Sequence, residues 1–346
     1  MRSYFVTGGA GFIGSHLVQA ILEQGDRVIV LDNFSTGRSR NLEESISASG
    51  LAEPGLVCWA DPNYKPEKKP SGARLIVIEG DVRDLELCRR LMVGVDYVLH
   101  QAAVPSVPRS IEDPLSTHAA NVDGTFYMLL AAKESRDKTG KPSRFVAASS
   151  SSVYGDTPTL PKIETMPPCP LSPYAASKLV GETYGQVFAR TLGLPTVFLR
   201  YFNVYGPRQD PNSAYAAAIP RFISRLLSDQ PPQIFGDGRQ SRDFTFVEDC
   251  VRANLLACTA ETVSGEVFNV GSGGRIEIGH LCALLSELTG KRFPPQYLSP
   301  RSGDVLHSQA DISKARLMLN YRPAFDIHEG LKRTLDAWTK TAPVQP

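Results

Sequence analysis

The sequence predicts an α/β protein built on a doubly wound parallel sheet with a smaller C-terminal lobe. Short apolar runs alternate with helical stretches through residues 1–200, the pattern of parallel strands joined by helical crossovers. A glycine triplet, Gly8, Gly11 and Gly14, follows the first apolar run and opens the first helical one. The length of 346 residues exceeds one ordinary core and leaves room for a second lobe.

Residues 4–7 read as a buried strand, 11–24 as a helix closed by Gly25, and 27–31 as the next strand, together a strand-helix-strand unit. Further apolar strands are expected at 75–78, 97–100, 144–148 and 196–199, with helices at 116–133 and 174–192. Between 49 and 73 the pattern breaks into Pro54, Pro62, Pro66 and Pro70 with a charged patch at 65–69, which reads as a surface excursion before the third strand. Beyond Arg200 a Gly/Pro/Asn-rich loop at 203–212 precedes a helix over 216–227 and then Pro231-Pro232, where the second lobe begins. Residues 244–247 and 266–270 read as short strands, and the tail from Pro343 as frayed.

The composition, 42% hydrophobic and 21% charged, is that of a soluble globular protein. Lys+Arg 37 against Asp+Glu 36 leaves a net charge of +1, which excludes an electrostatic reason for nucleic acid or an anionic membrane as partner. An anionic ligand must therefore be met locally. Six dispersed cysteines with no C-x-x-C pair fit reduced thiols better than a disulfide frame or a zinc site, so no metal is expected and the compartment reads as cytoplasmic. No run approaches the ~20 apolar residues of a membrane-spanning helix. A strand starting near Tyr4 leaves no space for a signal peptide, so the mature chain is expected to begin at or near Met1.

With Gly8, Gly11 and Gly14 between a strand and a helix, backbone amides and the helix N-terminus can approach a pyrophosphate without interference from a Cβ. Asp32 ends the second strand and supplies the acid expected ~20 residues on, which binds ribose hydroxyls and disfavours a 2′-phosphate. NAD is therefore preferred over NADP. Asp81, at a third strand end, either meets the adenine or is a turn aspartate.

Tyr174 and Lys178 are four apart in Tyr174-Ala-Ala-Ser-Lys178 and share one helix face. An unperturbed tyrosine titrates near ~10, too high for a base at neutral pH, but an ammonium and a positively charged nicotinamide both favour the phenolate. The pair points to proton abstraction beside a bound dinucleotide.

Thr7-Gly-Gly-Ala-Gly-Phe-Ile-Gly14, His100-Gln-Ala-Ala103, Ser149-Ser-Ser-Ser-Val-Tyr-Gly155, the Tyr174/Lys178 motif and Arg200-Tyr-Phe-Asn-Val-Tyr-Gly-Pro207 resemble, over nearly the whole chain, the extended short-chain dehydrogenase/reductase superfamily. Within it, Ser106-Val-Pro-Arg-Ser110, residues 208–217, Gly303-Asp-Val305 and Ala310-Asp-Ile-Ser-Lys314 resemble bacterial UDP-N-acetylglucosamine 4-epimerases of polysaccharide pathways. The resemblance implies a Rossmann-type NAD-binding domain at 1–200, with a segment near 243–271 returning to it, and a UDP-sugar lobe at 201–242 and 272–342. It adds Phe12, Ile13, Asn33, Gly37, Val82, Gln101, Ala102, Ala103, Asn121 and Tyr201 to the NAD site, beside Tyr174 and Lys178. It makes Tyr174 the base, Lys178 its partner, and Ser150 the hydrogen-bond donor to the sugar 4-oxygen.

Dehydratases and decarboxylases of the superfamily carry an acid in the loop before Val-Tyr-Gly, where this chain reads Ser150-Ser151-Ser152. Without that second acid/base, oxidation and re-reduction at one carbon remains, which selects epimerisation at carbon 4 through a transient 4-keto sugar. The resemblance places Arg242 and Arg301 at the diphosphate, where a planar guanidinium suits bidentate contacts. It places Asn203 beside the diphosphate side of the sugar nucleotide, Asp304 at the uridine ribose, and Ser151 and Ala217 in the substrate site. Ser308 stands where relatives confined to smaller hexoses carry a bulky aromatic, leaving volume for an N-acetyl group. Three rivals remain: a UDP-glucuronate (or N-acetylated uronate) 4-epimerase, with Arg109 as the cation for the carboxylate; a silent NAD-sensing binding protein, against which the intact Ser150, Tyr174 and Lys178 argue; and a net dehydrogenase, which would consume free NAD stoichiometrically. The helices at 116–133 and 174–192 carry more apolar positions than one sheet face needs, so a homodimer through a four-helix interface is expected, as in the family.

Overall fold

Neighbouring residues of the first strand face opposite apolar layers. In β1 (Ser3–Thr7), Tyr4 and Val6 join one buried cluster and Phe5 the other, and Val28 and Val30 alternate with Ile29 and Leu31 in the same way in β2 (Arg27–Asp32). Strands apolar on both faces are stable only when both are covered, and here helices cover both. The computed structural model describes residues 1–51, 57–60, 72–210, 217–300 and 305–341.

Between β1 and β2 runs α1 (Phe12–Glu23), and after them come α2 (Ser39–Ala48), β3 (Val57–Ala60), β4 (Leu75–Glu79), α3 (Leu85–Leu91) and β5 (Tyr97–His100). Next are α4 (Val107–Glu112), α5 (Pro114–His118), a π-turn at Ala119–Asp123, α6 (Gly124–Thr139), β6 (Arg144–Ser150), a 3₁₀ turn at Ser151–Tyr154, α7 (Pro173–Arg190) and β7 (Thr196–Tyr201). The remainder comprises β8 (Val204–Tyr205), α8 (Ala218–Leu227), β9 (Gln233–Phe235), β10 (Ser241–Arg242), β11 (Thr245–Phe246), α9 (Val247–Thr259) and β12 (Glu266–Val270). Last come β13 (Ile276–Glu277), α10 (Ile278–Thr289), β14 (Gln296–Leu298), α11 (Ser313–Leu319) and α12 (Ile327–Thr341).

The main sheet has eight parallel strands in the order β12-β7-β6-β5-β1-β2-β4-β3. The chain winds outward from β1 in one direction, then returns to β5 and winds the other way. A crevice at the carboxyl ends of β1 and β5 follows from that reversal. β12 pairs with β7 from Glu266↔Val197 to Val270↔Tyr201, so residues far downstream complete the sheet edge. A third apolar cluster, with Phe222, Ile223, Leu281, Leu285 and Leu331, gathers α8, α10 and α12 apart from the sheet.

Three expectations are corrected. Part of the 49–73 excursion is a strand: β3 pairs in parallel with β4 and forms the sheet's outer edge, because Val57-Cys-Trp-Ala60 offers β-favouring side chains to an unfilled ladder. The rest of that excursion, residues 52–56 and 61–71, lies outside the described residues, as does the tail from Pro343. The strand expected at 244–247 shrinks to Thr245–Phe246, because Val247 already opens α9. The helix expected from 116 begins at Pro114 and is interrupted by the π-turn, which α6 then continues. Among the described residues no helix is long and apolar enough to cross a membrane.

Candidate active site

β1 ends at Thr7, and Gly8 turns the chain with φ +69°, a conformation that side chains resist. A Cβ on Gly8 would lie 2.8 Å from the Ala102 backbone nitrogen, and one on Gly14 only 2.0 Å from the Gly8 carbonyl oxygen. The glycines therefore let β1, the segment after β5 and the start of α1 close on one another as bare backbone. Gly11 is the N-cap of α1 and brings no side chain to its first amides, which makes that terminus a place for an anion.

Asp32 ends β2 beside this turn, its Oδ2 accepting from the Ala10 amide and its Oδ1 from the Phe34 amide, each at 2.8 Å. Burial raises its pKa, while those two amides oppose the shift. A Cβ on Gly37 would lie 2.9 Å from both carboxylate oxygens, so glycine there keeps the acid open. Asn33 donates to Asp81 Oδ2 at 2.7 Å, and Arg83 holds the Asp81 carboxyl down at about 2. Asp81 is thus both a turn aspartate, accepting the Arg83 amide at 2.8 Å, and part of the cavity wall with Val82.

That cavity, about 1130 Å³, takes in Gly8, Gly11, Phe12, Ile13, Gly14, Asp32, Asn33, Gly37, Asp81 and Val82 at one end. Gln101, Ala102, Ala103, Pro105, Arg109, Tyr174, Lys178, Tyr201 and Ala217 also line it. Asn121 stands behind the wall: in the π-turn, its Nδ2 donates to Ser177 Oγ at 3.0 Å and to the Val104 carbonyl at 3.1 Å, and its Oδ1 accepts the Val104 amide at 2.7 Å. It fastens α7 to the segment after β5. Tyr201 and Gln101 are tied by a 3.1 Å hydrogen bond and share Asn254 on α9 as a further partner.

Ser172 caps α7, accepting the Ala175 amide at 3.1 Å, and Pro173 sets the first turn. That fixes Tyr174 at the mouth and Lys178 one turn deeper. The Lys178 Nζ donates to the Ala148 carbonyl at 3.0 Å and lies 5.9 Å from the Tyr174 ring centre. Burial brings Lys178 down to about 8, with the Glu182 charge opposing. Burial also raises the Tyr174 phenol, and the Ser150 hydroxyl opposes that by hydrogen bonding. The phenol is therefore not acidified by its protein neighbours alone, and phenolate formation needs a further positive charge.

Ser150 reaches Tyr174 but is not on the cavity wall; it also caps the 3₁₀ turn, accepting from Ser152 N at 3.2 Å and Ser152 Oγ at 2.9 Å. Ser149 stands on the wall instead. Ser151 lies in that turn, off the wall. Asn203, Ser308 and Arg242 gather in the second lobe: Asn203 donates to the Asp243 carbonyl at 3.0 Å and to Ser308 Oγ at 3.3 Å, and Arg242 donates to the Ser241 and Leu306 carbonyls at 3.0 Å each. Arg301 and Asp304 lie outside the described residues.

Some wall residues had no role in the sequence reading. Arg38, Arg40 and Glu44 follow Asp32 closely enough that their charge next to the ribose acid was a usable signal. Pro207–Asp210 crosses to the cofactor side: Arg208 donates to Ser45 Oγ at 3.0 Å and to Gln19 Oε1, and Asp210 pairs with Arg38 at 2.6 Å. Trp338, from α12, joins the wall with no local signal at all.

A bare glycine cradle, an open ribose acid and a Tyr/Lys pair on one cavity at a sheet reversal define a dinucleotide-dependent α/β enzyme. The chain belongs to the NAD-dependent epimerase/dehydratase family, whose pattern matches residues 4–271. It is 37% identical over 337 residues, 97% of each chain, to a protein of Methanocaldococcus jannaschii described as a putative UDP-glucose 4-epimerase. Among solved structures it is similar to a UDP-N-acetylglucosamine 4-epimerase from Methanobrevibacter ruminantium in complex with UDP-N-acetylmuramic acid, with TM-score 0.85, 36% identity and 98% of each chain covered. A UDP-glucuronic acid 4-epimerase from Bacillus cereus, in complex with UDP-glucuronic acid and NAD, matches with TM-score 0.83 and 33% identity, covering 98% of this chain and 99% of that one.

Proposed function

We propose that the protein is an NAD-dependent 4-epimerase of UDP-hexoses, with UDP-N-acetylglucosamine and UDP-N-acetylgalactosamine as its preferred pair and UDP-glucose and UDP-galactose as further substrates. One observation carries the reading: Tyr174 and Lys178 face the same cavity as the glycine cradle, while the carboxylates lining it, Asp32, Glu44, Asp81 and Asp210, sit on other elements than β6 and α7. Among the described residues lining the cavity, the reacting end thus has a base and no second acid, which suits chemistry at one carbon.

The residues fit NAD, since Gly8 and Gly14 let β1, the segment after β5 and the start of α1 close together as bare backbone, and Gly11 leaves the first amides of α1 uncapped for a diphosphate. Bound there, NAD supplies a hydride acceptor that gives the hydride back. Backbone at Gly8, Gly11 and Gly14 holds the diphosphate, and Asp32 the adenosine ribose hydroxyls. Tyr174 takes the proton of the sugar 4-hydroxyl and later returns it, Lys178 favours its phenolate, and Ser150, hydrogen-bonded to the phenol, orients it toward the 4-oxygen. Between the two transfers the 4-keto sugar turns about its bond to the diphosphate, so binding energy belongs on the nucleotide and not on the ring.

Residues 1–200 and 243–271 hold the cofactor in this reading, and 201–242 with 272–342 hold the sugar nucleotide. Asn203 and Arg242 contact the diphosphate side, Ala217 the nucleotide, and the small Ser308 leaves volume for the N-acetyl group. Arg109 on the cavity wall favours the second reading, a uronate substrate whose carboxylate it would pair. Tyr184 and Val187, 40% and 46% exposed on α7, support a homodimer through α6 and α7. Sedimentation showing only monomer at micromolar concentration would remove it.

Incubation of purified protein with UDP-N-acetylglucosamine and no added NAD tests the function. Appearance of the carbon 4 epimer supports it; turnover of UDP-glucuronate alone moves the assignment to the uronate reading. Stoichiometric consumption of added NAD would make the protein a net dehydrogenase instead.

A further inference from the structure

Behind the Tyr174/Lys178 pair lies a buried group of charges that the proton transfer itself does not use. Glu182 follows Lys178 by one helical turn on the sheet-facing side of α7, and both are buried. Its carboxylate accepts from the Ser149 hydroxyl on β6 and takes both arms of Arg200 on β7, Nε at 2.9 Å and Nη2 at 2.7 Å. The Arg200 guanidinium lies 4.6 Å from the Tyr154 ring centre, and the Tyr154 hydroxyl donates to Asn269 Oδ1 on β12 at 2.7 Å. One carboxylate is thereby fixed to two strands directly, β6 and β7, and through Arg200 and Tyr154 is linked to β12.

The arginine and glutamate side chains are only 4% and 3% exposed, so both charges have been taken out of water. A buried pair of this kind adds little net stability over well-packed apolar residues, because desolvation consumes most of the attraction. Its placement points to another use: Ser149 and Lys178, its two neighbours toward the ligand, both line the cavity.

We propose that Glu182 is a positioning residue for the reacting pair, holding Ser149 at the cavity wall and keeping the Lys178 side chain charged, while Arg200 fixes the carboxylate in place. Burial pulls the Lys178 amine's pKa down, and the Glu182 charge counters that shift. The other groups around Lys178 do not take over that task. Tyr174, on the same helix, has its phenol raised by burial and adds no negative charge while it holds its proton; the Ala148 carbonyl on β6 accepts one hydrogen bond. His100 on β5 is kept neutral, lowered to about 3 by burial and by Lys178 itself. Arg200 on β7 carries the wrong sign to help and meets Glu182 directly.

The role rests on reading Lys178 as the partner of Tyr174, but its test can be run without turnover. Competitive labelling of lysine amines with fluorodinitrobenzene across pH, read by peptide mass spectrometry, gives the midpoint at which Lys178 loses its proton. In Glu182→Gln, and in the charge-balanced Glu182→Gln/Arg200→Met, that midpoint is expected to fall by about one pH unit. The alkaline limb of turnover is expected to fall with it, whereas a merely structural defect lowers turnover at every pH alike. An unchanged Lys178 midpoint in the folded double variant, or in Glu182→Gln should the double variant not fold, overturns the proposal. If the wild type turns over no UDP-sugar while the midpoint still falls, the function reading fails and the positioning of Lys178 by Glu182 stands.

Discussion

Gly14 lies so close to Gly8 that a methyl group on the former would stand 2.0 Å from the carbonyl oxygen of the latter. No rotamer relieves that contact, because both atoms belong to backbone or to Cβ. Gly14→Ala is expected to push α1 off β1, costing about 1–3 kcal/mol in urea unfolding and releasing the cofactor. Gly25→Ala is the control: its φ of +82° is strained by a side chain, yet no atom lies within 4 Å of its Cβ. It should cost about 1 kcal/mol and leave the NAD content of the purified protein unchanged.

Tyr174→Phe keeps the ring beside Lys178 and removes only the acidic oxygen. Epimerisation is expected to fall by ~10²–10⁴-fold with bound NAD and melting temperature preserved. Turnover close to wild type in this variant would remove Tyr174 from the proposed chemistry.

Arg208 and the Arg38–Asp210 pair both hold the Pro207–Asp210 segment against the cofactor side, and they differ in worth. Arg208, only 8% exposed, hydrogen-bonds Ser45 and Gln19 and approaches Glu44 at 3.4 Å. The Arg38–Asp210 pair is 53% and 35% exposed and is screened by water. Arg208→Ala is expected to cost about 2–3 kcal/mol and to speed NAD release in stopped-flow dissociation. Asp210→Ala should cost under about 1 kcal/mol, with a smaller change in release.

Stability is expected to fall with acid through two histidines. Burial and the Arg208 charge hold His16 down at about 4, where it bonds the Pro207 carbonyl at 3.0 Å, and burial holds His100 at about 3 between Thr7 and Thr125. Both folded values lie below the unfolded value near ~6.5, so the unfolded chain binds the proton more readily. Their contribution is complete above that unfolded value, declines as pH falls below it, and is lost as pH passes through the folded values. Urea midpoints measured from pH 7 to 4 should decline, and His16→Gln should flatten part of that slope. An equal slope in the variant would show that His16 does not contribute.

Much of the site was legible because its signals are local. The spacing of Gly8, Gly11 and Gly14 reports one turn, Asp32 the end of the next strand, and Tyr174 and Lys178 one helix face. Ser150 was less legible: the difference between standing on the cavity wall and capping the turn behind it is a matter of one residue's register in β6. β3 was hidden by the prolines around it, since a four-residue edge strand is decided by the ladder it finds and not by its own pattern.

What the amino-acid order determined by itself is the sheet-and-helix alternation, the glycine turn that excludes side chains from a diphosphate, and the acid, phenol and amine set around it. Each depends on residues within a few turns of one another, where backbone geometry leaves few choices. Only the tertiary structure decided that Arg200 would cross from β7 to Glu182, that Pro207–Asp210 would be tied to α1 and α2, and that Trp338 would join the cavity wall. Those contacts join segments whose meeting depends on how strands, helices and loops pack in three dimensions, which no local spacing encodes.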